Sequence, residues 1–427
     1  MPTEKPPLRL LIACRLMSGF TESILKGEWN PSGGTAFYQL INRVDQAKDI
    51  QLSLCFLIKE KGGMLSVIKK KSIKKLTGLN TVIEIVPGPV IFPSIFSKFF
   101  SHLTEFYHAF FLFFKVRKER PDVVYIDRSN VMAATLISRF SKIPVILRVL
   151  GVTPSMNLLL EKLAISHYFY RFCYRSPFAW VICSMDGSSA DKWMERALSP
   201  RVMRKKLLNG VDGTDSSHSS LVKENSKITL TILGRLDPIK NAHLIVSSLL
   251  ELSESFKERI RVQLIGEGIL REALVQQVRE KGWLENFYFL GAVPHEEAVK
   301  YLRNSDIYIS LNSQGNLSNA NLEAIKAGLC LIMLEADSRT GVDKDSYDIL
   351  PEGSAVRINR ENIQPSLLKS LEDLLGHPEK ISAYKEKTKM AAMRLLSWDQ
   401  RIAQEISLIK AVSSTEKEKE CVVSIDN

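Results

Sequence analysis

The sequence predicts an α/β protein of two Rossmann-like domains, each built on a parallel sheet. In both halves of the 427-residue chain, short apolar runs alternate with segments of helical periodicity, which is the pattern of β-α-β units. Several runs, among them Leu8 to Cys14, Ile228 to Leu233 and Ile307 to Leu311, end in a polar or glycine-containing loop that leads into a helix. Between the halves, Gly213 to Ser226 is rich in Ser, Asp and Thr and reads as a linker. Hydrophobic residues make up 45% and charged residues 25%, an ordinary globular composition that excludes fibrous and disordered classes. The length suits two or three domains with large cores.

In the first half, Leu8 to Cys14 is a buried strand. A polar loop then reaches Ser32-Gly33-Gly34, and a helical pattern follows through Phe37, Leu40, Ile41 and Val44. Two glycines at a helix start allow a ligand close to the backbone, though a plain turn uses the same residues. Further strands are expected at 51–58, 81–86, Val123 to Ile126, Val145 to Leu150 and Trp180 to Cys183. Asp127 ends one strand, either as a polar group facing a ligand or as a cap on the next helix. Arg148 lies in another, placed to touch a phosphate or to pair with an acid.

Residues 1–222 hold 31 Lys/Arg against 17 Asp/Glu, while the rest is nearly balanced, so the net charge of +11 comes from the first half. Such asymmetry points to an anionic surface met by one domain. Met64 to Leu76 interleaves five lysines with apolar residues, and Ile95 to Val116 carries nine phenylalanines and tyrosines before Arg117, Lys118 and Arg120. Lys98, His102, Glu105 and His108 interrupt the second stretch and argue against a membrane span. A basic, aromatic surface lying on anionic lipid is the functional expectation, with about 1 kcal/mol for each cation near the surface. The competing reading makes the phenylalanines core and the lysines a solvated face. No nucleic-acid motif accompanies the charge, so nucleic acid is not an expected partner. The six cysteines lack zinc or CxxC spacing and fit reduced core thiols, and the polar start shows no signal peptide. Both features suggest the cytoplasm.

In the second half, Ile228 to Leu233 runs into Gly234-Arg235-Leu236-Asp237-Pro238-Ile239-Lys240-Asn241. This delivers Arg235 and Lys240 to the carboxyl edge of a sheet, where open α/β folds bind ligands. Arg261 to Gly268 is the next strand and Gly-x-Gly turn, ending at Gly266 and Gly268. Phe287 to His295 follows, and Leu329 to Leu334 and Ala355 to Ile358 complete the sheet. After the strand at Ile307 to Leu311, the loop from Gly315 leads to a helix from about Ser318, whose N-terminal N–H groups and dipole favour an anion. Glu323, about a turn and a half in, is placed to accept hydrogen bonds from a sugar hydroxyl beside the phosphate. Asp343-Lys344-Asp345 has the form of a metal-binding triplet, but it sits in a late loop and is read as chance.

Leu317-Ser318-Asn319-Ala320-Asn321-Leu322-Glu323-Ala324 with Gly328, together with Gly234-Arg235-Leu236 and Lys240 and with Asn209-Gly210-Val211-Asp212, resembles the family 4 retaining glycosyltransferases. These belong to the glycosyl transferases group 1 and have the GT-B fold, two Rossmann-like domains facing a central cleft. The resemblance implies that Arg235 and Lys240 hold the donor diphosphate and act catalytically, with Asp127 as a polarising or acceptor-side group. It makes Glu323 the ribose ligand and places Leu317, Ser318 and Asn319 in the donor loop. Gly33, Gly34 and Gly266 face the donor, and Val293 meets the base through backbone atoms. Arg148 stands where many relatives carry a histidine, on the acceptor side. Gly315 replaces the first glutamate of the family's Glu-x7-Glu signature.

The implied activity is transfer of a sugar from a UDP- or GDP-sugar to a lipid-linked or polysaccharide acceptor in cell-surface glycan synthesis, including lipopolysaccharide. The enzyme would lie peripherally on the inner membrane face, with no metal and no cofactor beyond the nucleotide sugar as co-substrate. The implied domains are an acceptor domain at 1–222, a donor domain at 223–396, a returning helix at 397–412 and a disordered tail at 413–427. Two other functions compete. One is a non-catalytic, membrane-associated scaffold, suggested by Gly315. The other is an epimerase or phosphorylase of the same architecture, for which no catalytic carboxylate or cofactor lysine can be placed.

Overall fold

A computed structural model of the chain describes residues 6–31, 33–59, 71–89, 97–161, 165–212 and 227–423. Ser32, most of the lysine-rich run (60–70), the start of the aromatic stretch (90–96) and the expected linker (213–226) lie outside them. The chain forms two compact units. One is Met1–Ser184 with Ala190–Leu207 and Asp399–Asn427, and the other is Met185–Ser189 with Leu208–Trp398.

The first unit is built on strands β1 (Leu8–Arg15), β2 (Ile50–Ile58), β3 (Ser72–Lys74), β4 (Ile83–Pro87), β5 (Val123–Asp127), β6 (Val145–Val149), β7 (Trp180–Ser184) and β8 (Met203–Leu207). Their order in the sheet is β3-β4-β2-β1-β5-β6-β7-β8. All neighbours pair in parallel except β3 and β4. Leu10 to Cys14 and Val123 to Ile126 are buried, as central strands covered on both faces require. The helix Thr35–Gln46 covers the sheet with Ala36, Phe37, Leu40, Ile41 and Val44, a single face at helical spacing.

The second unit contains β9 (Ile228–Leu233), β10 (Ile260–Ile265), β11 (Phe287–Gly291), β12 (Ile307–Ser310), β13 (Cys330–Leu334) and β14 (Val356–Ile358), in the order β11-β10-β9-β12-β13-β14 and parallel throughout. In each sheet the strand order reverses once, between β1 and β5 and between β9 and β12. The loops leaving these strands splay apart there, which opens a crevice at the carboxyl edge.

Three local expectations change. The described end of the lysine-rich run, read above as part of a basic surface, forms an edge strand. β3 pairs antiparallel with β4, and Lys71 lies 2.6 Å from Glu84, so these charges guard a sheet edge. An Asn-Gly pair commonly marks a positive-φ turn, but Gly210 does not adopt a positive φ. Its lack of a side chain has another cause, because a Cβ there would stand 2.6 Å from the Trp398 nitrogen, where Val211 N–H also donates to Leu396 O at 2.9 Å. The last helix, expected to end at Val412, runs Trp398–Val423. The Glu and Lys residues after Ser414 are good helix formers and extend it.

Candidate active site

At the β9 end of the second sheet, Asp237 organises the loop. Its carboxylate accepts the Lys240 N–H at 3.0 Å, capping the 3₁₀ turn Pro238–Lys240, and its Oδ2 lies 3.3 Å from Arg235 Nη2. The Arg235 side chain is 75% exposed and open to a ligand. The Lys240 ammonium sits deeper. Burial lowers its pKa, Asp237 opposes that, Arg235 adds to it and Asp186 opposes it again. Two cations held this close leave positive charge that an anion would offset.

The β12 loop is stitched to this one. Asn241 Nδ2 donates to Leu311 O at 2.7 Å and to Ser313 Oγ at 3.0 Å, and Ser313 N–H donates to Ile239 O at 3.0 Å. Inside the loop, buried Asn316 donates from backbone and side chain to Asp343, while its carbonyl accepts Asn321 Nδ2 at 3.0 Å. Ser318 caps the helix Asn319–Lys326, and Tyr308 Oη donates to Asn321 Oδ1 at 3.1 Å. Leu317 is buried and donates its N–H to Asp186 O at 3.2 Å; Asn319 Oδ1 accepts from Asn209 Nδ2 at 2.7 Å. A turn further on, Glu323 Oε1 lies 2.8 Å from His295 Nε2 and raises the histidine pKa. His295 opens the helix His295–Arg303, and half-buried Val293 lies in the turn between it and β11. Gly266 ends β10 with its Cα hydrogen packed towards the Gly234 carbonyl.

Arg235 and Lys240 therefore come from the loop after β9, and Ser318 and Glu323 from the start of the helix that follows β12 in the same sheet. The stitching residues Asn241, Ser313, Asp186 and Asn316 were not foreseen, although the density of small amides around Ser310 to Asn321 was a visible signal.

Gly315 has a structural cause. Its φ is +137°, and a Cβ would collide with the Asp186 carbonyl oxygen and stand 2.7 Å from the Gly187 carbonyl carbon. A glutamate does not fit there. Asp343 of the metal-like triplet is fully buried, accepts from Asn316 and pairs with Arg360. Burial pushes its pKa up to about 6, against the Asn316 N–H and the Arg360 charge. Among the described residues, no cluster of three His, Cys, Asp or Glu side chains could hold a metal.

In the first unit, a 330 Å³ cavity opens where β1, β5 and β6 end, lined by Arg15, Asp127, Arg128, Arg148 and Thr153 among others. Asp127 and Arg148 come together there, but neither is idle. Asp127 takes the capping role, accepting N–H groups of Arg15 at 3.1 Å and Ser129 at 3.0 Å and the Asn130 amide. Arg148, 1% exposed, pairs instead of projecting: Nε lies 3.2 Å from Glu405, and Nη1 and Nη2 donate to Val149 O, Ile182 O and Ser184 Oγ. Glu405 also takes Arg401 and the Tyr125 hydroxyl. Burial, with Arg148 beside it, lowers the Arg401 pKa to about 9. Gly33 and Gly34 lead into the helix Thr35–Gln46, with Gly34 at φ +64° against Phe20 and Met17.

Residues 214–386 match the family model for glycosyl transferases group 1. That segment spans the whole second sheet and contains Arg235, Lys240 and Glu323. Over 142 residues the chain is 31% identical to an uncharacterized glycosyltransferase of Methanocaldococcus jannaschii, covering 32% of this chain and 36% of that protein. Over 214 residues it is 22% identical to N-acetylgalactosamine-N,N'-diacetylbacillosaminyl-diphospho-undecaprenol 4-alpha-N-acetylgalactosaminyltransferase of Campylobacter jejuni, covering 50% and 55%. The matches thus span about a third to just over half of these curated relatives. Anabaena HepE, solved in complex with UDP, superimposes with a TM-score of 0.65 at 14% identity, covering 95% of this chain and 100% of that one. The fold is GT-B.

Proposed function

We propose that the protein is a retaining glycosyltransferase that moves a sugar from a nucleoside diphosphate sugar to a lipid-linked or polysaccharide acceptor in cell-surface glycan synthesis. The observation that supports this is that the β9 loop bearing Arg235 and Lys240 is hydrogen-bonded through Asn241 and Ser313 to the β12 loop, which leads into the Ser318-capped helix bearing Glu323, all inside the group 1 segment. In this reading the two cations bind the diphosphate and stabilise the charge that develops as the sugar–phosphate bond breaks. They supply that positive charge without a metal ion. The helix start meets a phosphate, Glu323 grips the ribose once His295 yields, and the backbone near Val293 meets the base. The acceptor oxygen bonds to the anomeric carbon, the bond to the β-phosphate oxygen breaks, and that oxygen takes the acceptor proton.

The first-unit cavity, lined by Arg15 and Arg128, suits an acceptor carrying phosphate, as the name of the Campylobacter relative describes for its own substrate. In this reading the protein acts peripherally at the cytoplasmic face of an anionic membrane, where a lipid-linked acceptor lies. Calorimetry with UDP- and GDP-sugars, followed by release of free nucleoside diphosphate on adding a lipid extract, tests the proposal. Donor heat with product release supports it. Absence of heat with every donor sinks it in favour of the non-catalytic scaffold that Gly315 suggests.

A further inference from the structure

The helix Ser97–Glu119 buries Ala109, Leu112 and Val116 against the first unit's core. Its opposite side turns Phe106, Tyr107, Phe110 and Phe114 to solvent, the last 62% exposed. These positions repeat at three and four residues, so they form one stripe. The stripe continues onto the helix Ile165–Tyr174, where the Phe106 and Phe169 rings lie 5.9 Å apart and Phe172 is exposed. Arg139, near the end of the helix Val131–Phe140, lies 4.1 Å over the Phe172 ring, and its neighbour Phe140 is 63% exposed. A soluble surface rarely leaves so many large rings uncovered side by side.

Charge says what covers them. Residues 106–118, 131–142 and 165–176 contain no Asp or Glu, while Arg117, Lys118, Arg139, Lys142, Arg171 and Arg175 sit among or beside the rings. Glu105, the nearest acid on the first helix, is taken up by Lys59 at 3.0 Å and the Tyr170 hydroxyl at 2.7 Å. Aromatic rings interleaved with cations, and no exposed acid between them, match the headgroup zone of an anionic bilayer. Among the described residues no helix is long and apolar enough to cross a membrane.

We propose that the aromatic face of helices Ser97–Glu119 and Ile165–Tyr174, with Phe140, docks onto an anionic lipid surface by inserting its rings at headgroup depth. This names the surface behind the membrane-side reading above and does not depend on sugar transfer. The test is co-sedimentation of the full chain with vesicles of phosphatidylcholine alone or mixed with phosphatidylglycerol. Binding should favour the anionic vesicles, weaken in salt, and fall at least tenfold in the Phe110→Ser/Phe114→Ser/Phe172→Ser variant, since each ring loses its buried apolar area. The same variant should retain the donor heat of the parent, which separates loss of docking from loss of fold. If the parent gives no donor heat, the transferase reading fails while the vesicle result still decides this one. Phe110→Trp fluorescence should be quenched by lipids brominated near the headgroup. No vesicle binding, or binding that the triple variant leaves unchanged, overturns the proposal. So does light scattering that shows a dimer which the triple variant converts to monomer, because the face would then belong to a second copy.

Discussion

The two sheet edges use arginine in opposite ways. At the β9 edge Arg235 stands in solvent, held on one side by Asp237, and Lys240 beside it carries charge that its surroundings only partly offset. At the β6 edge Arg148 occupies a comparable position near the end of a parallel strand, yet it is sealed among Glu405, Ser184 and two backbone carbonyls. What separates them is the source of the carboxylate. Asp237 is two residues from Arg235 and shares its loop, so it orients the guanidinium without covering it. Glu405 arrives on the last helix with Arg401, accepts the hydroxyl of Tyr125 from β5, and closes over Arg148. A cation at a strand end is thus left open to solvent or sealed as a structural post according to what the rest of the chain lays on it.

Removing the partner at each edge gives the sharpest contrast. Glu405→Ala leaves the Arg148 and Arg401 guanidiniums buried without a carboxylate, and loss of one partner of a buried ion cluster costs about 3–5 kcal/mol. Denaturant unfolding should show that loss. An unchanged midpoint would mean that water reaches the cluster and that the two edges do not differ in kind. Arg235→Ala and Lys240→Ala should do the reverse. In the proposed role each supplies a charge-assisted phosphate contact of about 1.5–3 kcal/mol, so its loss should lower transfer at least tenfold. Stability should hold for Arg235→Ala, whose side chain is mostly exposed.

Gly315→Glu asks whether the donor edge can be rebuilt to the family pattern. The backbone at φ +137° and the pressing Asp186 carbonyl predict that it cannot. Strain of about 1–3 kcal/mol should lower the melting temperature, and donor heat should weaken as the loop shifts. A gain in donor affinity would show that segment 185–189 yields and that Gly315 is a true loss of a sugar contact.

Much of the second edge was legible because its parts are local. Gly234 to Lys240 and Ser318 to Glu323 each sit within one strand-loop-helix segment, where spacing alone assigns strand end, cap and first turn. The strands of both sheets were legible for the same reason, as apolar runs punctuated by turns. What sequence could not show was pairing across long separations. Arg148 waits for Glu405, and Gly315 is forced by Asp186, from a short segment that belongs to the second unit. Gly210 is fixed by the Trp398 backbone rather than by its own turn, and β3 gains strand character only from β4. Asp127 was open to two readings, and the structure shows the local one, a cap on the turn that follows it.

The smallest effect concerns the last donor-edge partner. Glu323 is proposed to hold ribose, yet here it holds His295 at 2.8 Å, and the hydrogen bond to Glu323 raises the histidine pKa, with burial opposing and the carboxylate's charge assisting. A histidine with a raised folded pKa keeps its ion pair at pH below its ordinary value and loses it as pH climbs through the raised one. The imidazolium therefore competes with ribose for the carboxylate at acid pH and releases it above. Because the His295 side chain is 72% exposed, solvent screening keeps the pair to well under about 1 kcal/mol. Donor affinity should thus rise by a few-fold at most as pH increases through that range, and His295→Ala should flatten the dependence at the higher affinity. Calorimetry at several pH values checks this. A rise that survives in His295→Ala would assign the titration to another group and sink this account; loss of charge on Lys240, whose pKa burial lowers, would instead make affinity fall as pH increases.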